Sequence, residues 1–250
     1  MDALHVVLIA LAATAGGAVN AIAGGGSLIT FPTLLAAGLP AVTASMTNTV
    51  AMCPGYLGAT IAQRRDLIGQ RGRVLRLVPL SLAGSAVGAW ILLHTTERSF
   101  QTLVPFLLVF AAVLLALQGR LRAYLVQHTR GHRSMAFAAV PIGLSAVYGA
   151  YFGAGMGVMI LAILAVVIED TLLRMNALKQ LMALVINVVA AVIFLAVGTI
   201  DWGVALVIAI ASLAGGLIGG KIAQRIPEAL LRGIAIAVAL AAAAVYFAKL

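Results

Sequence analysis

The sequence predicts an all-α polytopic membrane protein made of two inverted repeats, each a glycine-broken helical hairpin followed by three transmembrane helices. Three observations support this fold class. The 250 residues are 63% hydrophobic and 9% charged, with a mean hydropathy of +1.14, whereas a soluble domain carries about a quarter charged residues. Long apolar runs recur along the chain, and motifs of its first half reappear in its second half. The composition excludes an ordinary soluble enzyme and a disordered chain.

Eight apolar stretches are long enough to cross about 30 Å of hydrocarbon, which takes about 20 helical residues. Their continuous low polarity favours helices over the alternating strands of a barrel. Shorter apolar arms, 28–38 and 158–168, follow the first and fifth stretches. Residues 13–15 resemble a signal-peptide cleavage site, but no positive region precedes them, so the first stretch is predicted to be a span. The predicted spans are 3–23, 43–63, 74–94, 100–118, 135–152, 172–197, 203–222 and 229–248.

The basic residues indicate the topology. If each short arm returns to the face from which its hairpin entered, the loops at 64–76, 119–134, 169–179 and 221–232 share one side. These loops then carry 14 of the 16 Lys and Arg residues. If residues 135–168 instead crossed the membrane once, one side would carry 10 of these residues and the other 6. The positive-inside rule therefore favours hairpins, basic loops in the cytoplasm and termini outside. This distribution explains the net charge of +9 without a nucleic-acid partner.

A repeat divides the chain. The motif Ser-Leu-Ala-Gly at 81–84 recurs at 212–215, a displacement of 131 residues, and Gly88 and Glu97 recur as Gly219 and Glu228 at the same displacement. Each half contains a hairpin and three crossings, and because three is odd the second copy is predicted to be inverted, as in secondary transporters. The predicted units are the first repeat 1–118, a basic cytoplasmic linker 119–134 and the second repeat 135–250.

The linker contains four arginines and two histidines. It has two interpretations, a solvated loop between the repeats or a surface that binds anionic lipid. The residues concerned are Arg120, Arg122, His128, Arg130, His132 and Arg133.

Glycine-rich turns break both hairpins, at 24–27 and 153–157. An arm of 11 residues rises only about 16 Å as a helix, so each turn is predicted near mid-membrane. Backbone at that depth must be buried in protein or line a cavity. Free N–H groups and the positive end of the following helix favour an anion there. The alternative is that both turns only allow close helix packing.

Polar residues inside spans need partners in the bundle and therefore mark candidate binding positions. Two interpretations of Lys179 stay open, since it can bind an anion or extend to the membrane interface. Asn187 lines the solute path or bridges helices. The predicted substrate-binding residues are Asn20, Gly24, Gly25, Gly26, Ser27, Thr47, Asn48, Gly153, Gly155, Gly157, Lys179 and Gln180.

Catalytic groups are missing from the spans. All four histidines and all seven acidic residues lie near or beyond span ends, and the single cysteine, Cys53, excludes an internal disulfide. We therefore expect no enzymatic activity, no metal and no other cofactor. A cationic solute would find no counter-charge, so the expected partners are a small anionic solute and membrane lipid, and a homo-oligomer is compatible with the sequence.

The first turn and its surroundings resemble the sulfite exporter TauE/SafE family. The resemblance rests on the stretches 20–27, 38–40 and 44–48, on Arg64-Arg65, and on 149–157 as the later repeat. It implies a bacterial-type plasma-membrane permease for sulfur-containing anions such as sulfite or sulfoacetate. The second repeat departs from the first because Leu178-Lys179 replaces Thr47-Asn48.

Together these observations predict a secondary transporter that exports small anions, sulfite or organosulfonates in particular, by alternating access. Two alternatives stay open. One is an anion channel, and the other is a non-catalytic membrane subunit that docks a partner through its basic loops.

Overall fold

The computed structural model describes residues 3–128, 135–222 and 228–248, and all regular elements in these ranges are helical. The predicted all-α class is therefore confirmed. A 3₁₀ turn, Arg64–Leu67, lies between the third and fourth α-helices. The α-helices are α1 (Ala3–Ile22), α2 (Ser27–Ala36), α3 (Ala41–Ala62), α4 (Arg71–Leu93), α5 (Glu97–His128), α6 (Met135–Tyr151), α7 (Met156–Val167), α8 (Leu172–Val197), α9 (Trp202–Ile222) and α10 (Glu228–Phe247).

Six of the described helices, α1, α4, α5, α8, α9 and α10, are long and apolar enough to span a membrane. This makes the chain a multi-pass membrane protein. The predicted spans 43–63 and 135–152 form α3 and α6 but do not meet that criterion. Helix α6 is short, with 17 residues. Helix α3 has 22 residues but is polar, and 14 of them are buried. Because α3 lies inside the bundle, protein partners rather than lipid surround its hydroxyl and amide groups.

Two hairpins, α1–α2 and α6–α7, open at opposite ends of α4. At one end, the Glu97 carboxylate accepts hydrogen bonds from the N–H groups of Ala41 and Val42, just after the first hairpin. At the other end, Arg73 pairs with Asp170, which follows the second hairpin, at 2.5 Å. The hydrogen bond from Arg73 lowers the pKa of Asp170 to about 2, and Arg174 contributes from 3.0 Å.

Glycines bring α4 against α6 and α9 against α1. A Cβ added to Gly84 would lie 2.3 Å from the Gly143 carbonyl oxygen, and one added to Gly215 would lie 2.1 Å from that of Thr14. The two contacts correspond, since Gly84 and Gly215 are 131 residues apart and Thr14 and Gly143 are 129 apart. The contacts of Gly88 with Val147 and of Gly219 with Ala18 correspond in the same way. These glycines therefore allow the helix backbones to approach closely, and the inversion of the second repeat stays a prediction.

Helix α5 extends further than the sequence predicts. It continues to His128, so the first ten residues of the predicted linker 119–134 are helical. Alanine, leucine, glutamine and arginine favour helix, and nothing requires a helix to end where the hydrocarbon ends. Arg130, His132 and Arg133 lie outside the described residues, as does the side chain of Glu228, the predicted counterpart of Glu97.

An aromatic cluster holds both hairpins against α5. Phe31 of α2 contacts Phe152, beside the second glycine turn, edge to face at a centroid distance of 5.3 Å. Phe100 of α5 lies 6.4 Å from both rings. Such pairs contribute about 0.5–1.5 kcal/mol beyond their buried area, and they link α2 and the second turn to α5.

Candidate functional site

The two glycine turns touch each other through their backbones. A Cβ added to Gly157 would lie 2.8 Å from Gly24 Cα, and one added to Gly24 would lie 3.0 Å from Gly157 Cα. Gly24 has a φ of +85°, and Gly153 and Gly155 both have a φ of +81°, a region that L side chains rarely occupy. The two predicted glycine turns, which are distant in sequence, therefore lie together in the fold.

Asn20 connects the first turn to α8. Its side-chain Oδ1 accepts the Gly26 N–H at 2.6 Å. Its backbone carbonyl accepts hydrogen bonds from Lys179 Nζ at 3.2 Å and from Gln180 Nε2 at 2.6 Å. Because α1 ends at Ile22, its last carbonyls lack intrahelical donors, and side chains from α8 supply them. Asn20, Gly26, Lys179 and Gln180 therefore belong to one cluster, as the sequence predicts.

The next carbonyl of α1 is bonded in the same manner. Ala21 O accepts from Gln63 Nε2 at 3.2 Å and from Asn176 Nδ2 at 2.9 Å. Asn176 Nδ2 also donates to Gln63 Oε1 at 2.9 Å. Amide side chains from the end of α3 and the start of α8 thus hold the end of α1 on both sides.

Lys179 points into the bundle. Only 1% of the residue is exposed, and its ammonium contacts the end of α1. The structure therefore does not agree with the interpretation in which Lys179 extends to the membrane interface. Because Lys179 is buried inside the bundle, it does not count as a loop cation, and the topology count rests on 13 cations on that side rather than 14.

The structure separates some predicted residues from the cluster. Asn48 Oδ1 accepts a hydrogen bond from Thr30 of α2 at 2.6 Å, which ties α3 to the arm. Thr47 points elsewhere, because its Oγ1 accepts from the Asp201 N–H at 3.1 Å, between α8 and α9. Gly155 lies against Ala111 of α5, and Gly25 against Leu115. These four residues shape the surroundings of the turns rather than the polar cluster itself.

Two residues outside the predicted set complete the cluster. The Tyr56 hydroxyl faces the side chains of Asn20, Ser27 and Asn187, and both Tyr56 and Asn187 are buried. They occupy equivalent positions, 131 residues apart. That displacement, together with a tyrosine inside a polar helix, is the sequence signal that could have identified the pair.

Two buried polar atoms in this cluster have no hydrogen-bond partner, namely Asn20 Nδ2, a donor, and Gln180 Oε1, an acceptor. Unpaired buried polar atoms are uncommon in proteins and call for an explanation such as a ligand. The N–H groups of Gly24 and Gly26 already bond to Val19 O and Asn20 Oδ1. The first turn therefore offers an anion fewer backbone N–H groups than the sequence predicts.

The cluster is rich in hydrogen-bond donors. Amides, two hydroxyls and one ammonium surround the first turn, and the cluster itself contains no carboxylate. Within the described part of the chain, no group of three His, Cys, Asp or Glu residues is arranged to hold a metal. A set of this kind suits a small anion, since each donor can replace one hydrogen bond that the anion loses with its water.

The chain matches the family described as Sulfite exporter TauE/SafE over residues 8–246. It is 24% identical over 200 residues to the probable membrane transporter protein YfcA of Escherichia coli K12, covering 80% of this chain and 73% of the relative. It is 28% identical over 210 residues to the probable membrane transporter protein ORF9 of Sinorhizobium sp, covering 82% and 78%. A Haemophilus influenzae probable membrane transporter protein is 26% identical over 221 residues, covering 87% and 85%. No solved structure matches.

Proposed function

Because this chain belongs to the sulfite exporter TauE/SafE family, we propose that it is a secondary transporter that exports small sulfur oxyanions, sulfite or organosulfonates, by alternating access. The observation that carries the proposal is the buried Lys179 beside the joined glycine turns. A buried ammonium at the end of α1, beside a turn lined by amides and hydroxyls, favours an anionic solute over a neutral or cationic one.

The proposed binding residues belong to both halves of the chain. Lys179 supplies the charge, and Asn20 Nδ2 supplies a donor that has no protein partner. The Ser27 and Tyr56 hydroxyls and the Asn187 amide complete the shell. Gly24, Gly153 and Gly157 allow the turns to approach, and Asn48 holds the arm that carries Ser27.

The arrangement of the hairpins supports alternating access. The hairpins open at opposite ends of α4 and meet at Gly24 and Gly157. If the two halves are inverted repeats, rocking one half against the other opens the turns first to one side and then to the other. We place the protein in the bacterial inner membrane with its basic loops in the cytoplasm.

Thermal unfolding of the detergent-purified protein in the presence of sulfite, sulfate, thiosulfate, sulfoacetate, taurine and organic acids tests this proposal. A ligand that binds only the folded state raises the Tm by mass action. We expect a saturable shift with a sulfur oxyanion. Lys179→Met should weaken the binding about tenfold or more, because hydrogen bonds to charged groups contribute about 1.5–3 kcal/mol. The control is Arg76→Met, which removes an exposed cation from α4.

The alternatives predict different results. A channel gives anion flux that does not saturate. A docking subunit shows no shift with any anion, and it loses partner capture when Arg64, Arg65 and Arg71 are neutralised. Equal effects of Lys179→Met and Arg76→Met would contradict the assigned site.

A further inference from the structure

A second polar site lies away from the turns, at the end where α3 and α9 finish. A crevice of about 390 Å³ is lined there by Ile61, Ala62, Arg64, Arg65, Leu217 and Lys221. Its size falls within the range of small-molecule pockets. We propose that this crevice binds the phosphate of an anionic phospholipid.

The three cations of the crevice are available to a ligand. Arg64, Arg65 and Lys221 are exposed, and among the described residues none of them forms a salt bridge. Arg73 and Arg174 differ, since both pair with Asp170. The crevice therefore concentrates positive charge, and a phosphodiester is the anion that membranes present in quantity.

The position of the crevice at the ends of two helices favours a lipid over free phosphate. Helix α3 ends at Ala62, just before Arg64 and Arg65, and α9 ends at Ile222, with Lys221 in its last turn, so the cations lie at the ends of two packed helices. Ile61 and Leu57 lie one turn apart on α3, and each is 45% exposed. An amphipathic ligand can thus place its phosphate among the cations and an acyl chain along Leu57 and Ile61. Inorganic phosphate can contact only the cations.

Close packing of α3 and α9 gives the crevice a fixed shape. A Cβ added to Gly216 would lie 2.1 Å from the Gly55 carbonyl oxygen, and one added to Gly220 would lie 2.6 Å from Ala62 Cβ. The two helices therefore hold Lys221 and the arginines of the 3₁₀ turn at a set separation. Such preorganisation lowers the entropic cost of binding.

The test measures lipid binding to the delipidated full chain in detergent, by native mass spectrometry and by thermal shift. The probes are phosphatidylglycerol, phosphatidylcholine and inorganic phosphate. We expect saturable stabilisation by phosphatidylglycerol only. A triple variant, Arg64→Gln, Arg65→Gln and Lys221→Gln, should weaken this binding at least about tenfold, because it removes all three cations that line the crevice.

Two further variants separate the site from bulk charge and from folding defects. Arg71→Gln, Arg76→Gln and Arg120→Gln remove the same charge from exposed positions outside the crevice and should leave binding unchanged. Arg64→Lys with Arg65→Lys should retain it. An equal loss in both triple variants, or stabilisation by inorganic phosphate equal to that by the lipid, would overturn the proposal. Neither result depends on whether the protein transports an anion.

Discussion

Asn20 joins three parts of the candidate site through three different groups. Its Oδ1 accepts from Gly26, its carbonyl accepts from two side chains of α8, and its Nδ2 has no protein partner. A residue placed in this way couples the geometry of the turn to the position of Lys179. Its side chain therefore serves both the fold and the proposed ligand.

Substituting Asn20→Ala should lower the free energy of unfolding by about 1–3 kcal/mol, because the buried Gly26 N–H loses its acceptor. The Tm of the purified protein checks this. Thr14→Ala on the same helix is the control, since Thr14 bonds only to Ala10 O within α1 and its loss should cost little. Equal destabilisation by both variants would argue against a special role for the turn bond.

Asp170 predicts a dependence of stability on pH. Its pKa is lowered from 3.8 to about 2, chiefly by the hydrogen bond from Arg73. A lowered pKa in the folded state contributes stability above pH 4, and this contribution is lost as the pH falls from about 4 to about 2.

The Tm of Asp170→Asn should therefore lie below that of the parent protein at pH 7, and the gap should narrow at pH 3. Thermal unfolding at pH 7, 5 and 3 measures the gap. Asp66→Asn serves as control, since Asp66 forms no salt bridge within the described ranges. A gap that is the same at pH 7 and pH 3 would contradict this interpretation of the ion pair.

The hairpins depend on contact between the glycine turns. Gly157→Ala adds a Cβ 2.8 Å from Gly24 Cα, where only backbone can yield. We expect it to destabilise the protein by about 1–3 kcal/mol and to abolish anion binding because the turns separate. The control is Gly119→Ala on α5, where the added Cβ meets nothing within 4 Å and helix propensity favours alanine by up to about 1 kcal/mol. Melting and anion binding distinguish the two variants, and unchanged binding by Gly157→Ala would contradict the site.

Helix positions followed closely from the sequence. The predicted span 172–197 coincides with α8, because Thr171 caps its first turn and a glycine follows its last residue. The end of α5 was missed, because hydropathy marks where a helix leaves lipid and not where it stops. Hydropathy is also a poor guide to α3, because a helix that packs among other helices can carry polar residues.

The site was only partly predictable. Glycine turns and a lysine within a span are unusual enough to be recognised from the sequence alone. Thr47 and Asn48 were grouped because they are adjacent, but neighbouring residues point about 100° apart on a helix, and here they contact different elements. Tyr56 was missed because its partners come from α1, the first turn and α8, which only the folded bundle brings together.

At the scale of the whole molecule, the distribution of basic residues predicts the orientation. Single cysteines introduced in a Cys53→Ala background test it. An impermeant thiol reagent applied to intact cells should label Thr96→Cys, beyond α4 on the predicted outer side, and should not label Gly72→Cys. Both positions are exposed, so accessibility within the fold does not distinguish them. Labelling of Gly72→Cys alone would reverse the assigned topology.

Counterflow in proteoliposomes tests the central claim most directly. Vesicles containing the purified protein are loaded with unlabelled sulfite or sulfoacetate and diluted into a trace of the labelled anion. A carrier that binds the anion at the joined turns predicts transient accumulation of label that saturates with concentration and is lost in Lys179→Met but not in Arg76→Met. Flux that rises linearly without saturation, or no flux from folded protein with any anion of the panel, would contradict the account.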